Sequence, residues 1–388
     1  MMKVRRCILG GLWILSLTAI SFYGGAISYG LFFGVTLIPV ISLIYLLCVY
    51  SRFKIYQETA MRNLVCGKPT PYFFILQNED WFAYTGISVR MHSSFSYAEE
   101  TFESVEYELL PGDKITCSTN LVCRYRGEYE IGVKEVVLTD FFRLFRFRYA
   151  VSGQIQAEVS PKIVEVAELK SIADLPMSVL TATSGSTEPD IIVRDYVEGD
   201  SLKQIHWKAT ARERKLKVRL MTGKDDQRIS ILCDTRHYSE DKKMFLPLEN
   251  KILETFLAVG CFFAGMEKEF YAWYGQDGVV KKHVDGMEEF NAFYRAVSDI
   301  VFRKSENFQR VLEQVTGQGV LQGCSLVFCV LHELDQAIMD TTEKLTANGA
   351  IVVIYVITDR EPRDYMRQGS MRRRIVVIPV DARLEGRL

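Results

Sequence analysis

From Cys7 to Ser51 the chain has no Asp, Glu, Lys or Arg. That absence excludes a soluble surface for the segment and exceeds the roughly 20 apolar residues that one spanning helix requires. Two helices account for it, about Ile8 to Phe22 and Leu31 to Tyr50, with Tyr23-Gly24-Gly25-Ala26 and the nearby Tyr29-Gly30 as the turn. The competing reading is a cleaved signal peptide, because Lys3, Arg5 and Arg6 precede an apolar core. Against it, the apolar stretch runs well past any cleavage site instead of giving way to a polar mature sequence.

The chain also lacks paired cysteines. Its 9 cysteines stand singly, with no C-x-x-C, so neither a disulfide framework nor a zinc knuckle is expected. There is no G-x-S-x-G, no H-E-x-x-H and no Walker A lysine in a glycine-rich loop, and only 5 histidines. These gaps remove the commonest nucleophilic, zinc-peptidase and nucleotide-hydrolysing classes. Excess charge is missing too: 47 basic against 48 acidic side chains argue against nucleic acid as a partner. No cofactor and no bound metal are expected.

Basic residues lie only on the outer ends of the apolar segment, Lys3, Arg5 and Arg6 before it and Arg52 and Lys54 after it. The positive-inside rule places both ends in the cytoplasm. The expectation is a multi-pass cell-membrane protein that contacts the bilayer through residues 8–50 and has cytoplasmic soluble domains.

Residues 1–54 thus form the membrane hairpin, and 55–160 read as a β-sandwich. The runs Pro69–Gln77, Tyr84–Ser93, Phe102–Leu110, Lys114–Tyr125, Gly127–Leu138 and Arg146–Ala150 are β-branched or aromatic and are separated by turn residues, at the spacing of short sandwich strands. Arg126-Gly127-x-Tyr129 reads as a structural hairpin corner. Residues 161–227 read as a connecting region with a polar stretch at Thr181–Pro189. From 228 to 388 the texture becomes α/β. Continuous apolar runs at Ile229–Cys233, Phe270–Tyr274, Ser325–Leu331, Ile351–Ile357 and Ile375–Val380 alternate with helical stretches, as buried parallel strands do. The expected fold is doubly wound, with its site at the carboxyl ends of the strands.

The densest cluster of unusual residues is Arg194-Asp195-Tyr196, Gly199-Asp200, His206-Trp207-Lys208 and Arg212. Ser201 reads as an N-cap with Gln204 completing a capping box. Leu202, Ile205, Ala209 and Arg212 then share one helical face, and Lys215–Leu220 follows with strand alternation. The plain reading is a solvated basic face around one buried Trp; the functional one is a network of Asp195 or Asp200 with Arg212 or Arg194. A metal-dependent hydrolase or nuclease using Asp195, Asp200 and Glu213 is the enzymatic alternative, on the acid, acid and lysine composition completed by Lys215.

The run Arg-x-Tyr-x-x-Gly-Asp-x-x-x-x-Ile-His-Trp-Lys-x-x-Ala-Arg over 194–212 resembles the signature of the bacterial and archaeal family known as domain of unknown function 58. Arg126-Gly127-Glu128-Tyr129-Glu130-Ile131-Gly132 followed by Asp140-Phe141-Phe142-Arg143-Leu144-Phe145 resembles its second hallmark. With the hairpin, the resemblance covers nearly the whole chain. It implies a membrane-anchored protein without established biochemical activity, working beside a MoxR-type AAA+ ATPase in envelope-associated assembly.

The α/β region is similar to a von Willebrand A domain, which places D-x-S-x-S after its first strand to hold a Mg²⁺ through oxygen ligands. This chain reads Asp234-Thr235-Arg236-His237-Tyr238 there. Arg236 supplies no acceptor and opposes a cation, so Asp234 marks a degenerate metal position and pairs with Arg236 or caps a turn.

Overall fold

The structure is a computed structural model that describes residues 2–61, 63–102, 104–174, 191–195, 210, 215, 217–221, 228–317, 324–360 and 372–388. The chain divides into two compact units, Met1–Lys162 and Ile163–Leu388.

The first unit begins with α1 (Met2–Phe22) and α2 (Gly25–Arg52), both long and apolar enough to cross a membrane. The turn between them is tighter than the sequence suggests. Only Gly24 and Gly25 adopt positive φ, 56° and 84°, and Gly30 lies inside α2. Helix is the economical state for an apolar segment, because every backbone group then finds its partner within the segment.

Among the described residues eleven strands follow. They are β1 (Lys54–Thr59), β2 (Asn63–Val65), β3 (Pro69–Gln77), β4 (Tyr84–Met91), β5 (Ser96–Ala98) and β6 (Glu106–Leu109). Then come β7 (Lys114–Cys123), β8 (Gly127–Ile131), β9 (Val133–Thr139), β10 (Arg146–Ala150) and β11 (Ile155–Ser160). The strand-rich reading stands, but these strands form three sheets, in the orders β1-β3-β7-β5, β10-β9-β4-β6 and β2-β11-β8. Alternation builds the core: along β3, Tyr72, Phe74 and Leu76 turn inward and are buried, while Phe73 and Ile75 are half-buried. The run Gly127–Leu138, which reads as one strand, breaks at Gly132. There φ is 82°, and an added Cβ would sit 2.8 Å from the Tyr72 hydroxyl. Glycine therefore lets the chain leave the sheet of β8 and enter that of β9.

In the second unit, β12 (Ile191–Asp195) and β13 (Lys217–Met221) form an antiparallel pair with Asp195 opposite Lys217. The remaining elements are β14 (Arg228–Cys233), α3 (Lys242–Gly265), β15 (Phe270–Gly275), β16 (Val279–Val284), α4 (Gly286–Ser298) and α5 (Phe308–Gly317). They are followed by β17 (Cys324–Leu331), α6 (Gln336–Ala347), β18 (Ile351–Ile357) and β19 (Arg373–Ile378). Six of these strands make one sheet, ordered β16-β15-β14-β17-β18-β19. It is parallel except for the edge strand β16.

The sheet is covered on both faces, which is why its strands are apolar without interruption. Ile231, Phe328 and Tyr355 face a core that includes Ile252, Phe256 and Leu257 of α3. Their neighbours Leu232, Cys329 and Ile354 face a second core with Leu312 of α5 and Ile338 of α6. Burial among these side chains pushes the Cys329 thiol up to about 12, so it behaves as a small hydrophobe. Residues 163–174, read above as part of a connection, pack into the first of these cores through Val164, Leu169 and Ile172. Ser171 Oγ lies 2.6 Å from the Tyr355 hydroxyl, and the Lys170 amide donates to the Leu388 carbonyl.

Candidate functional site at the carboxyl edge of the sheet

In a doubly wound sheet the crevice opens where successive crossovers leave in opposite directions. Here that point lies between β14 and β17, the first and fourth strands of the six. The residues that leave their carboxyl ends are Asp234–Tyr238 and His332–Leu334.

Asp234 is 1% exposed, and its own amide donates to the Val330 carbonyl of the neighbouring strand at 2.9 Å. Its Oδ1 accepts the Arg236 backbone amide at 3.0 Å and its Oδ2 accepts the Tyr238 hydroxyl at 2.6 Å. The carboxylate therefore caps the turn, and the Arg236 side chain goes elsewhere, over the Tyr238 ring at 5.2 Å. Burial raises the carboxyl above the usual carboxylate range, opposed by the bonds from Tyr238 and from the Arg236 and His332 backbone. Tyr238 is itself raised, by burial first and by the Asp234 charge second.

The rest of the corner is equally self-contained. Thr235 Oγ1 donates to the Gly275 carbonyl at 2.7 Å. The backbones at Thr235 and His237 exchange hydrogen bonds with Arg303, locking the loop to the segment before α5. His237 Nδ1 lies 2.7 Å from Oε1 of the buried Glu249 on α3. His332 donates from Nδ1 to the Ile357 carbonyl at 2.6 Å, and its ring packs edge-on against Tyr238 with centroids 4.7 Å apart. Chemically, this arrangement holds two carboxylates, two imidazoles and a phenol in fixed positions, with Tyr238 bonded to Asp234, His237 to Glu249 and His332 to the Ile357 carbonyl. Among the described residues no group of three or more His, Cys, Asp and Glu side chains could hold a metal ion.

Sequence reasoning found Asp234, Arg236 and Tyr238 but missed His237, His332 and Glu249. His237 stood in the quoted motif, directly before Tyr238, and was available. His332 and Glu249 reach the corner only through the sheet order and the helix crossover, which leave no local pattern.

Of the signature residues, the structure describes the backbone of Arg194 and Asp195, the last two residues of β12. Tyr196, Gly199, Asp200, His206, Trp207, Lys208, Arg212 and Glu213 lie outside the described residues, as does the polar stretch Thr181–Pro189. The β12–β13 ladder brings the two ends of that segment side by side. The expected strand after it is present, and its partner Ile191–Asp195 is the one the sequence reading omitted.

The second hallmark is fully described. Gly127 has φ 121°, and the buried Tyr129 donates its hydroxyl to the Tyr125 carbonyl at 2.6 Å, the hydrogen bond of a tyrosine corner. Asp140 is 2% exposed. It accepts the Phe142 amide at 3.1 Å, the Phe145 amide at 2.6 Å and the Ser42 hydroxyl of α2. Arg5 and Arg6 of α1 donate to the Phe142 and Leu144 carbonyls at 3.2 and 2.7 Å. The hallmark turn is thus the joint between the helical hairpin and the strands of the first unit.

No protein-family model matches the chain, and no curated protein matches it. Solved structures that resemble parts of it include a Salmonella alpha-2-macroglobulin mutant, at 17% identity and TM-score 0.21 over 27% of this chain. Another is a Bacteroides uniformis beta-glucuronidase, at 9% identity and TM-score 0.16 over 78% of this chain. A third is an exo beta-N-acetylglucosaminidase from Vibrio harveyi, at 8% identity and TM-score 0.17 over 84% of this chain and 78% of that one. The chain spans 7% of the macroglobulin and 33% of the glucuronidase. Similarity at these TM-scores is too slight to bear on fold or function.

Proposed function

We propose that the protein is a membrane-anchored, non-enzymatic scaffold of the domain of unknown function 58 family. In this reading a von Willebrand A-like domain that has lost its metal binds another protein, and the resemblance implies a MoxR-type AAA+ ATPase as that protein, in envelope-associated assembly. The observation that carries the reading is the saturation of Asp234. Its two oxygens are taken by the Tyr238 hydroxyl and the Arg236 amide, and the residues that replace the expected serines supply those donors. A divalent ion would have to displace both bonds, and the Arg236 side chain offers it no acceptor.

Two further features support the reading. The order β16-β15-β14-β17-β18-β19 is the 3-2-1-4-5-6 order of a doubly wound sheet, and an antiparallel edge strand such as β16 is common in such sheets. Arg5 and Arg6 meet the first unit at the same turn as Ser42 of α2, so the basic ends of both helices lie on one side, as a cytoplasmic location of both requires.

Calorimetric titration of the full chain in nanodiscs with Mg²⁺ or Mn²⁺ tests the metal-free domain: no saturable binding is expected. Sub-millimolar binding that disappears in Asp234→Ala would overturn it. Co-expression with a MoxR-type ATPase tests the partner: the ATPase stays on the tagged chain, and Lys208→Ala weakens its retention. Hydrolysis of nucleic acid that requires Mg²⁺ and is abolished by Asp200→Ala replaces the scaffold with the enzyme using Asp195, Asp200 and Glu213.

A further inference from the structure

The last turns of α2 do not stand clear of the strands. Ser42 bonds Asp140, Tyr45 donates to the Ala83 carbonyl at 3.0 Å, and Leu46 and Val49 are 1% exposed. The strand-rich part of the first unit therefore begins at the level of Ser42 on α2 and of Arg6 on α1. Beyond those levels α1 rises about 24 Å to Phe22 and α2 about 26 Å back to Gly25, at about 1.5 Å per residue. Each falls short of the roughly 30 Å hydrocarbon core of a typical bilayer. A short span is met by local thinning or by drawing flanking residues into the interface.

The flanking residues here are apolar. Trp81 is 83% exposed, Leu110 62%, Phe141 54% and Phe142 51%. All four lie on turns, and two of those turns meet at Tyr45. The Phe141 ring is 4.2 Å from the Tyr45 ring, and Phe82, which touches Trp81, is 6.0 Å from it. The Asn78 amide ties the Trp81 turn to the Leu110 turn, donating to the Phe82 carbonyl at 2.8 Å and the Leu110 carbonyl at 3.1 Å. Loops normally turn polar residues to water; three separate loops turn large apolar ones outward at the foot of a membrane hairpin.

We infer that this rim is a lipid-binding surface: Trp81, Leu110, Phe141 and Phe142 lie in the boundary between headgroups and acyl chains of the leaflet that α1 and α2 enter. The inference rests on the membrane-anchor reading. Aromatic side chains favour that boundary because one part of the ring system is apolar and the layer itself is half wet. The occupant is the bilayer because the patch adjoins the exposed apolar surface of α2 through Tyr45, whose ring meets Phe141 and Phe82. Arg5 and Arg6, held at the same turn, place positive charge at the depth of the phosphates.

The test uses the full chain in phosphatidylcholine and phosphatidylglycerol vesicles, with lipids brominated near the headgroup or near the chain end as quenchers and iodide as the aqueous quencher. Comparison with Trp81→Phe and Trp13→Phe isolates the emission of each tryptophan. Both side chains are exposed, so neither substitution disturbs a core. Trp81 emission is lost with shallow bromolipid, persists with deep bromolipid and resists iodide, whereas Trp13 emission, from the middle of α1, is lost with deep bromolipid. Trp81 quenched by iodide and untouched by either bromolipid, while Trp13 still responds to the deep one, overturns the rim and leaves the anchor intact. Trp13 untouched by both bromolipids overturns the anchor and the rim together.

Discussion

Asp140 in the first unit and Asp234 in the second are both buried carboxylates that hold a turn together by accepting from backbone amides and a hydroxyl. They differ in what they join. Asp140 takes its hydroxyl from α2, 98 residues away in sequence, so the same side chain folds its own turn and fastens the hairpin to the strands. Asp234 takes its hydroxyl from Tyr238, four residues on, and its other bonds come from the Arg236 and His332 backbone, so it holds its loop only to the neighbouring strand end of the same sheet. The first kind of aspartate couples the two apolar helices to the fold of the unit. The second kind neutralises a corner that would otherwise offer an open acceptor at the switch point of the sheet.

The comparison breaks first at Asp140. Asp140→Ala strands the Phe142 and Phe145 amides and frees Ser42, at an expected cost of roughly 2–6 kcal/mol for two backbone donors left unsatisfied. The full chain in detergent is expected to show a clear fall in melting temperature and faster proteolysis between α2 and β1. Ser42→Ala removes only the bond between helix and turn and is expected to cost about 1.5–3 kcal/mol, as loss of one hydrogen bond to a charged group. If Ser42→Ala melts like wild type while Asp140→Ala does not, Asp140 folds its turn but does not fasten the helix.

These two corners were not equally legible. Asp140-Phe141-Phe142 and Asp234-Thr235-Arg236-His237-Tyr238 could both be marked from sequence, and the apolar runs gave the five parallel strands of the six-stranded sheet because burial on both faces leaves no polar interruption, whereas the largely exposed edge strand β16 left no such run. The hairpin was legible for a related reason: a run without charge from Cys7 to Ser51 is long enough for two helices. What the residues concealed was long range. Ser42 is a polar residue in a long apolar helix whose partner lies far along the chain, and His332 and Glu249 reach the Asp234 corner only through crossovers. The break at Gly132 was concealed too, because alternation continues on both sides of it and only the positive φ separates β8 from β9. Residues 163–174 read as linker because three apolar anchors spread over a dozen positions carry no period.

At Asp234 the expected effects are smaller. Tyr238→Phe leaves the ring packed on His332 but removes one donor from a buried carboxylate, at an expected cost of about 1.5–3 kcal/mol. Chemical denaturation of the full chain in detergent measures it. A loss equal to that of Asp140→Ala would make the two corners energetically alike and remove the contrast drawn between a joint and a plug.

Smallest, and most specific, is the dependence on pH. Burial raises the Asp234 carboxyl above its ordinary value of 3.8, so the folded chain holds this proton to higher pH than the unfolded chain does. The contribution of the protonated group is then fully present below the unfolded value and is lost as pH rises through the raised folded value. Asp234→Asn keeps the shape and cannot ionise. The melting temperature of wild type minus that of Asp234→Asn should therefore fall as pH climbs out of the acid range, then level off once the carboxylate is charged in both states. Tyr238→Phe sharpens the test, because loss of a donor to the charged form raises the folded value further and carries the fall to higher pH. A difference that instead rises with pH would mean that the hydrogen bonds from Tyr238 and the Arg236 amide outweigh burial. In that case the corner holds a stable anion, and Asp234 would be a better acceptor for a partner's cation than a plug.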